Sequence, residues 1–251
     1  MKPLQLLASP LLLLTTNLVM AHDSEPALPF ERLHSHNDLE GHLHVGWESR
    51  YFSEGRDVLD GDSLLTTSLE LGFEHFSFGY WYGISPEQDY DELQISAAYS
   101  NNIGSFDYYF SFTHFEFSRG IPGREFDNEV GAGISYSGLP YDLGISLDIY
   151  YSFLEQGYFT TLTLDYTKEL TDALALTAST TVGMNQDYIS DGHDGLDHWA
   201  FRLDLEYELA ANWALSTHLT YSLPLDRDSD AADDELLTNF FHTGLNLQWS
   251  F

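Results

Sequence analysis

The chain has 251 residues, no cysteine, and 40 acidic residues against 9 Lys and Arg, for a formal net charge of −31. That charge repels nucleic acid and anionic surfaces, and the lack of cysteine excludes a disulfide framework and thiol chemistry. A salt-tolerant source would also explain an acidic surface, so where the acids fall along the chain matters more than their sum.

Residues 1–21 read as a secretory signal: Lys2 supplies the positive start, Leu4 to Met20 are mostly apolar, and Val19-Met20-Ala21 offers a cleavage site. Ser9-Pro10 and Thr15-Thr16-Asn17 break the stretch and argue against a retained anchor. No later run reaches the ~18–20 continuous apolar residues of a spanning helix. If the mature chain sits in a membrane it must therefore close into a barrel, because lipid satisfies no backbone hydrogen bonds.

Residues 22–40 lack periodicity and read as a flexible lead. His22, His34 and His36 lie in it, with His42 and His44 just beyond. Imidazoles in this density suit a borderline divalent metal, so His34, His36, His42 and His44 are candidate weak ligands. Their spacing matches no structural zinc motif, and a solvated tether is the competing reading.

From residue 41 to 251 the pattern is β throughout. About twelve segments alternate apolar and polar residues, near 42–52, 63–73, 76–83, 90–99, 105–116, 126–136, 141–152, 157–167, 173–185, 197–208, 212–222 and 237–251. Most have the length of a tilted transmembrane strand. Every second connector is tight, as at Glu74-His75 and Ala210-Ala211, whereas the alternate ones are mostly longer and rich in Gly, Pro and Asp. Short turns on one side and longer loops on the other characterise outer-membrane barrels. The connector 153–156 is short where length is expected. The predicted fold is all-β: a transmembrane, antiparallel, up-and-down β-barrel of about twelve strands.

One face carries Phe76, Phe78, Tyr80 and Tyr82, then Leu143 to Tyr151 at every second residue, and Trp199 to Tyr207 likewise. A soluble sheet would need a second layer to cover that stripe, and no helical segment is available to supply it. The opposite face carries Glu48, Glu70, Glu92, Asp107, Glu129, Asp142, Asp148, Asp165, Asp204 and Glu206 against Arg50 and Arg202. A one-residue slip would move all of these into lipid, so the register is pinned. Ten carboxylates and two guanidiniums cannot all pair, and a lumen so lined concentrates cations and excludes anions. Glycines on the same face, such as Gly131, Gly133 and Gly244, leave room for water or for close packing on a plug.

Other chemistry is weaker. His198, His218 and His242 have inward parity and read individually as hydrogen-bonding lumen residues. Asp226 to Glu235 begins like a calcium loop but lacks the sixth-position Gly and the twelfth-position Glu. A lipid-hydrolysing barrel would need a Ser/His pair on its outer face, for which His114, Ser118 and Glu116 are the nearest residues. No G-x-S-x-G elbow occurs. No catalytic residue is assigned.

The last segment ends on Phe251, with Trp249 two residues before it. Such an ending resembles the C-terminal signal by which the assembly machinery of Gram-negative bacteria recognises outer-membrane barrels. Ser49-Arg50-Tyr51-Phe52-Ser53-Glu54-Gly55-Arg56-Asp57 resembles the opening of the TorF-type porin family, whose first strand reads S-D/N-Y-x-F-R-G-x-S. Ser49, Tyr51 and Gly55 match, Arg50 replaces an acidic or amide residue, and Glu54 stands where the family has Arg. The resemblance in layout covers most of the mature chain and implies an outer-membrane location and a pore. The expectation is a channel for small cations or small neutral solutes, with membrane lipid and the assembly machinery as partners, no nucleic acid, and no cofactor beyond a weakly held divalent metal. A non-conducting structural or metal-binding barrel is the alternative, and a lipid-modifying enzyme a more distant one.

Overall fold

The computed structural model describes residues 39–119 and 123–251. The signal, most of the lead, and with them His34 and His36 lie outside the described residues.

In chain order the strands are β1 Glu40–Glu48, β2 Phe52–Ser53, β3 Arg56–Asp57, β4 Leu64–Phe73, β5 Phe76–Ile84, β6 Tyr90–Ile103, β7 Phe106–Arg119, β8 Glu125–Tyr136, β9 Leu143–Ser152, β10 Tyr158–Thr171, β11 Leu174–Gln186, β12 Gly195–Ala210, β13 Trp213–Pro224 and β14 Phe240–Ser250. Twelve of them form a closed antiparallel barrel in sequence order, β14 pairing back onto β1. β2 and β3 stand apart as a two-stranded hairpin. The expected segments appear within a few residues of their predicted bounds, with one informative difference. β1 stops at Glu48 rather than running on to residue 52, and residues 49–63 turn inward.

Closure satisfies the backbone. His42 faces Ser250 and Glu48 faces Gly244 across the β1–β14 seam, and the amides and carbonyls of Gly41 and Phe251 bond reciprocally at 3.0 and 2.9 Å. The ladder leaves no sheet edge, the condition for crossing hydrocarbon. The outward rows stay apolar and exposed, among them Leu43, Val45 and Trp47 on β1, Phe110 and Phe112 on β7, and Leu203 and Leu205 on β12. Aromatics mark both ends of this belt. At the end that carries Glu40 and Phe251, the rings of Trp213, Trp249 and Phe251 meet in series, and the Phe76–Tyr99 and Phe106–Tyr136 pairs mark the same end elsewhere on the ring. At the long-loop end, Trp199–Phe201 and Tyr221–Phe241 pairs do the same. Apolar bodies with polar tips suit the headgroup layer.

Segment 153–157, short where length is expected, lies against a neighbouring loop. Gly157 lies against the backbone of Asp187 and Tyr188, where an added Cβ would overlap main-chain atoms, and Tyr158 bridges Asp187. Backbone cannot rotate aside as a side chain can. Gly157→Ala should therefore destabilise the folded barrel by about 1–3 kcal/mol, the usual cost of overpacking. A lower temperature for the heat-induced change in gel migration would report it.

Candidate functional site: the lumen and its inward-folded loop

The inner face carries most of the predicted charge. Glu48, Glu70, Glu92, Asp107, Glu129 and Asp148 are all buried there. Asp165, Arg202 and Asp204 are half-buried on the same face, and Glu206 is exposed. Two residues stand elsewhere than expected. Asp142 closes a short 3-10 turn, Pro140–Asp142, outside β9, and is exposed. Arg50 lies past the end of β1, where its guanidinium pairs with Asp57 and sits 5.5 Å from the Phe240 ring centre. Asp142 is thus not a wall residue, because the chain needs a positive-φ pair, Tyr141 and Asp142, to complete this turn.

Tyrosine hydroxyls hold three of the six buried carboxylates. Tyr51 donates to Glu92 at 2.6 Å, and Tyr90 donates to the same oxygen. Tyr188 donates to Glu129 at 2.5 Å, and Tyr109 donates to Asp148 at 3.0 Å while its hydroxyl lies 2.5 Å from that of Tyr150. A phenol supplies a hydrogen bond without a positive charge, so this bond does not itself cancel the carboxylate's field. Arg202 serves its own neighbour, Asp204, at 2.8 Å.

The inward loop is the feature that sequence reasoning missed. Tyr51, Phe52, Ser53, Glu54, Arg56, Asp57 and Leu59 are all buried inside the barrel. Tyr51 and Leu59 pack with Leu64, Trp81 and Tyr90, while Phe52 packs with Ala200 and Phe240. Gly55, at φ +76°, takes the tip over His198, where a Cβ would fall 2.5 Å from the imidazole. Both the left-handed backbone and the close approach demand glycine. The hairpin is anchored by Arg56. Its guanidinium donates to Asp197 and Asp234 at 2.8 Å each, to the Glu54 carbonyl at 2.8 Å and to the Asp233 carbonyl at 3.1 Å. Both carboxylates are fully buried.

Asp197 reaches this position through a bulge. Gly183 faces His198 while Met184 faces Leu196, so Asp197 is the extra residue and both it and His198 turn inward. Bulges re-aim single side chains in this way. Strict alternation would have sent Asp197 outward, and for that reason the sequence did not reveal it. Asp234, in the stretch that begins like a calcium loop, is likewise committed to holding the fold together. It also accepts from the Asp228 amide at 2.8 Å and bonds the His193 ring at 2.6 Å. Residues 49–63, 187–194 and 225–239 are thereby knitted into one clasp across the mouth.

The remaining expectations are placed as follows. His42 and His44 are fixed in β1 on the inner wall, His42 bonding Ser250 at 3.0 Å and Gln248 at 3.2 Å, and His44 bonding Asn246 at 3.1 Å. They are not part of a flexible stretch. Trp249 and Phe251 face outward near the terminal end. His114 faces outward and bonds Asn128 at 2.9 Å, with Glu116 at 3.5 Å. Ser118 lies four strand residues further on, ~13 Å away, too far for a nucleophile and its base. His114 and Ser118 therefore do not form the pair that a lipid hydrolase would need.

Solved structures with the same architecture include a KdgM porin, at 12% identity and a TM-score of 0.56, and a NanC porin, at 10% and 0.52. Each match covers 84% of this chain and 99% of the other. A KdgM porin in complex with disordered oligogalacturonate matches at 11% and 0.53 over the same shares. The fold is that of outer-membrane porins. At these identities the likeness is one of fold alone. No protein-family model and no curated protein matches the chain.

Breaking a buried ion pair by removing one partner costs about 3–5 kcal/mol, because a buried charge is left uncompensated. Arg56→Ala should free the hairpin from the barrel. Trypsin should then cleave after Arg50 much faster than in the wild type, while the heat-modifiable gel shift of a folded barrel persists. Unchanged cleavage would show that the aromatic contacts alone hold the loop.

The clasp is also pH-sensitive. Burial works against a charged His193, but the Leu196 carbonyl and Asp234 outweigh it and raise its pKa. Burial likewise opposes the Asp234 carboxylate, but the Asp228 amide and His193 outweigh it and lower its pKa. A raised histidine stabilises fully below its unfolded pKa of ~6.5 and loses that contribution as pH rises through the folded value. A lowered carboxylate stabilises above its unfolded pKa and loses that as pH falls through the folded one. The clasp is therefore firmest in mildly acidic solution. His193→Gln should lower the thermal midpoint at about pH 5.5, and the gap to wild type should narrow by about pH 9. A gap independent of pH would contradict the assignment.

Proposed function

We propose that the protein is an outer-membrane channel of the porin kind in a Gram-negative bacterium, passing small cations or small neutral solutes by diffusion through a constricted, acidic lumen. One observation carries the reading: six carboxylates, Glu48, Glu70, Glu92, Asp107, Glu129 and Asp148, are buried on the inner face. Tyrosine hydroxyls, which carry no charge, donate to three of them, Glu92, Glu129 and Asp148. In a low-dielectric wall such charges hold a negative potential that attracts cations and repels anions. The inward hairpin narrows the path, which favours small solutes. One KdgM structure is described with oligogalacturonate, a chain of sugar carboxylates, and an anionic chain of that kind would be repelled here.

The TorF-type resemblance of residues 49–57 fits this proposal, and those residues form the constricting hairpin itself. Trp249 and Phe251, presented to lipid at the terminal end, are the proposed contact for the assembly machinery. The apolar belt is the contact for outer-membrane lipid, and no nucleic acid or organic cofactor enters the reading. The lead histidines His34 and His36, with His42 and His44 at the start of β1, remain candidate weak metal ligands. No catalytic role is assigned.

Reversal potentials of the refolded protein in planar bilayers across a salt gradient test the proposal. Cation preference is expected, and Glu92→Gln or Asp148→Asn should reduce it. Anion preference would overturn the lumen reading, and a folded barrel without conductance would favour a structural protein.

A further inference from the structure

Three inward side chains, distant in sequence, meet at one point of the wall. Glu48 lies on β1, His218 on β13 and His242 on β14, and the Glu48↔Gly244 and His218↔Gly244 pairings bring all three around a single glycine. His218 Nε2 lies 3.1 Å from Glu48 Oε2 and 3.3 Å from His242 Nδ1, and His242 Nδ1 lies 3.7 Å from Glu48 Oε2. The residues Glu48, His218 and His242 are 3%, 6% and 4% exposed. Among the described residues no other group of three or more potential ligands converges in this way.

The distances have a chemical meaning. A tetrahedral ion with ligands at ~2.0–2.2 Å sets neighbouring ligand atoms ~3.3–3.5 Å apart, and the three separations bracket that spacing. Two imidazole nitrogens with one carboxylate oxygen suit a borderline divalent ion, and three protein ligands leave a fourth position open for water. The surroundings give two further indications. Gly244 leaves the Glu48 carboxylate its place, because a Cβ there would overlap it and push it aside. Thr220, which faces His242 across the β13–β14 ladder, is 2% exposed, and its hydroxyl has no hydrogen-bond partner among the described residues. A buried hydroxyl calls for a polar partner, and water on the open fourth position of an ion would supply one. Phe52 of the inward hairpin stacks on His242, 5.0 Å between ring centres at 19°, and closes the site from the lumen side.

We propose that Glu48, His218 and His242 form a binding site for one borderline divalent transition-metal ion, of the Zn²⁺ class, in the barrel wall beneath the inward hairpin. The site is separate from the lead histidines and does not depend on whether the barrel conducts.

Calorimetric titration of Zn²⁺ into the refolded full-length mature chain in detergent tests it. One ion per barrel is expected. His218→Ala combined with His242→Ala should abolish that binding, Glu48→Gln should weaken it at least tenfold, and His34→Ala with His36→Ala should leave it intact. Heat-modifiable gel migration shows which variants remain folded. Zn²⁺ binding by a folded His218/His242 double variant with wild-type stoichiometry and affinity would overturn the proposal. So would loss of binding in the lead variant alone. Should the double variant not fold, imidazole ¹⁵N resonances of the wild type decide. Zn²⁺ must shift those of His218 and His242, and unchanged signals would overturn the assignment.

Discussion

Everything in this molecule follows from one constraint: in hydrocarbon, a peptide group must find its hydrogen bond within the protein. The chain meets it by closing β14 onto β1, and closure then fixes the rest. With no free edge and a two-residue period, each residue of a barrel strand is assigned either to lipid or to the interior. Leu43, Val45 and Trp47 go one way, and His42, His44 and Glu48 go the other. The interior is where this chain concentrates its chemistry, because the outer face admits little but apolar and aromatic side chains.

A barrel interior lined with acids must hold them without collapsing into salt bridges or leaving them unsolvated. Tyrosine resolves the conflict. Its ring fills volume as a core residue would, and its hydroxyl reaches a carboxylate without cancelling the charge. Tyr109, Tyr150 and Tyr188 pack together with Phe159 and Ala98 while serving Asp148 and Glu129. Gly133 makes room for this, since a Cβ there would overlap both Tyr109 and Asp148. The inner glycines therefore let aromatic and acidic side chains lie flat against the wall, and do not simply widen an aqueous bore.

The strands were legible because their signal is local and repeated: alternation, the tight turns at every second connection, and the aromatic rows sit in contiguous sequence. The inner carboxylates followed from parity wherever parity holds. It fails in three places. At Asp142 the strand has not yet begun. At Asp197 a bulge inserts one residue and turns an outward position inward. At Arg50 to Asp57 the alternation continues past the end of β1, so Tyr51 and Phe52 read as strand although they serve a hairpin folded into the pore. Charge could have hinted at this last error, since Arg56 is one of very few cations in an acidic interior.

The convergence of Glu48, His218 and His242 shows a different kind of illegibility. Each residue has inward parity, and each alone is an ordinary lumen side chain. Their meeting depends on the stagger of β1 against β14 and of β14 against β13, which places Glu48 and His218 on either side of Gly244. Stagger is set by the whole ring of twelve strands, and no window of sequence contains it. The inward hairpin depends on the same stagger, because Phe52 can stack on His242 only where the wall presents that ring. A glycine in β14 and a phenylalanine in the first loop are thus coupled through the barrel's geometry. Neither substitution would be conservative, although each residue on its own looks like filler.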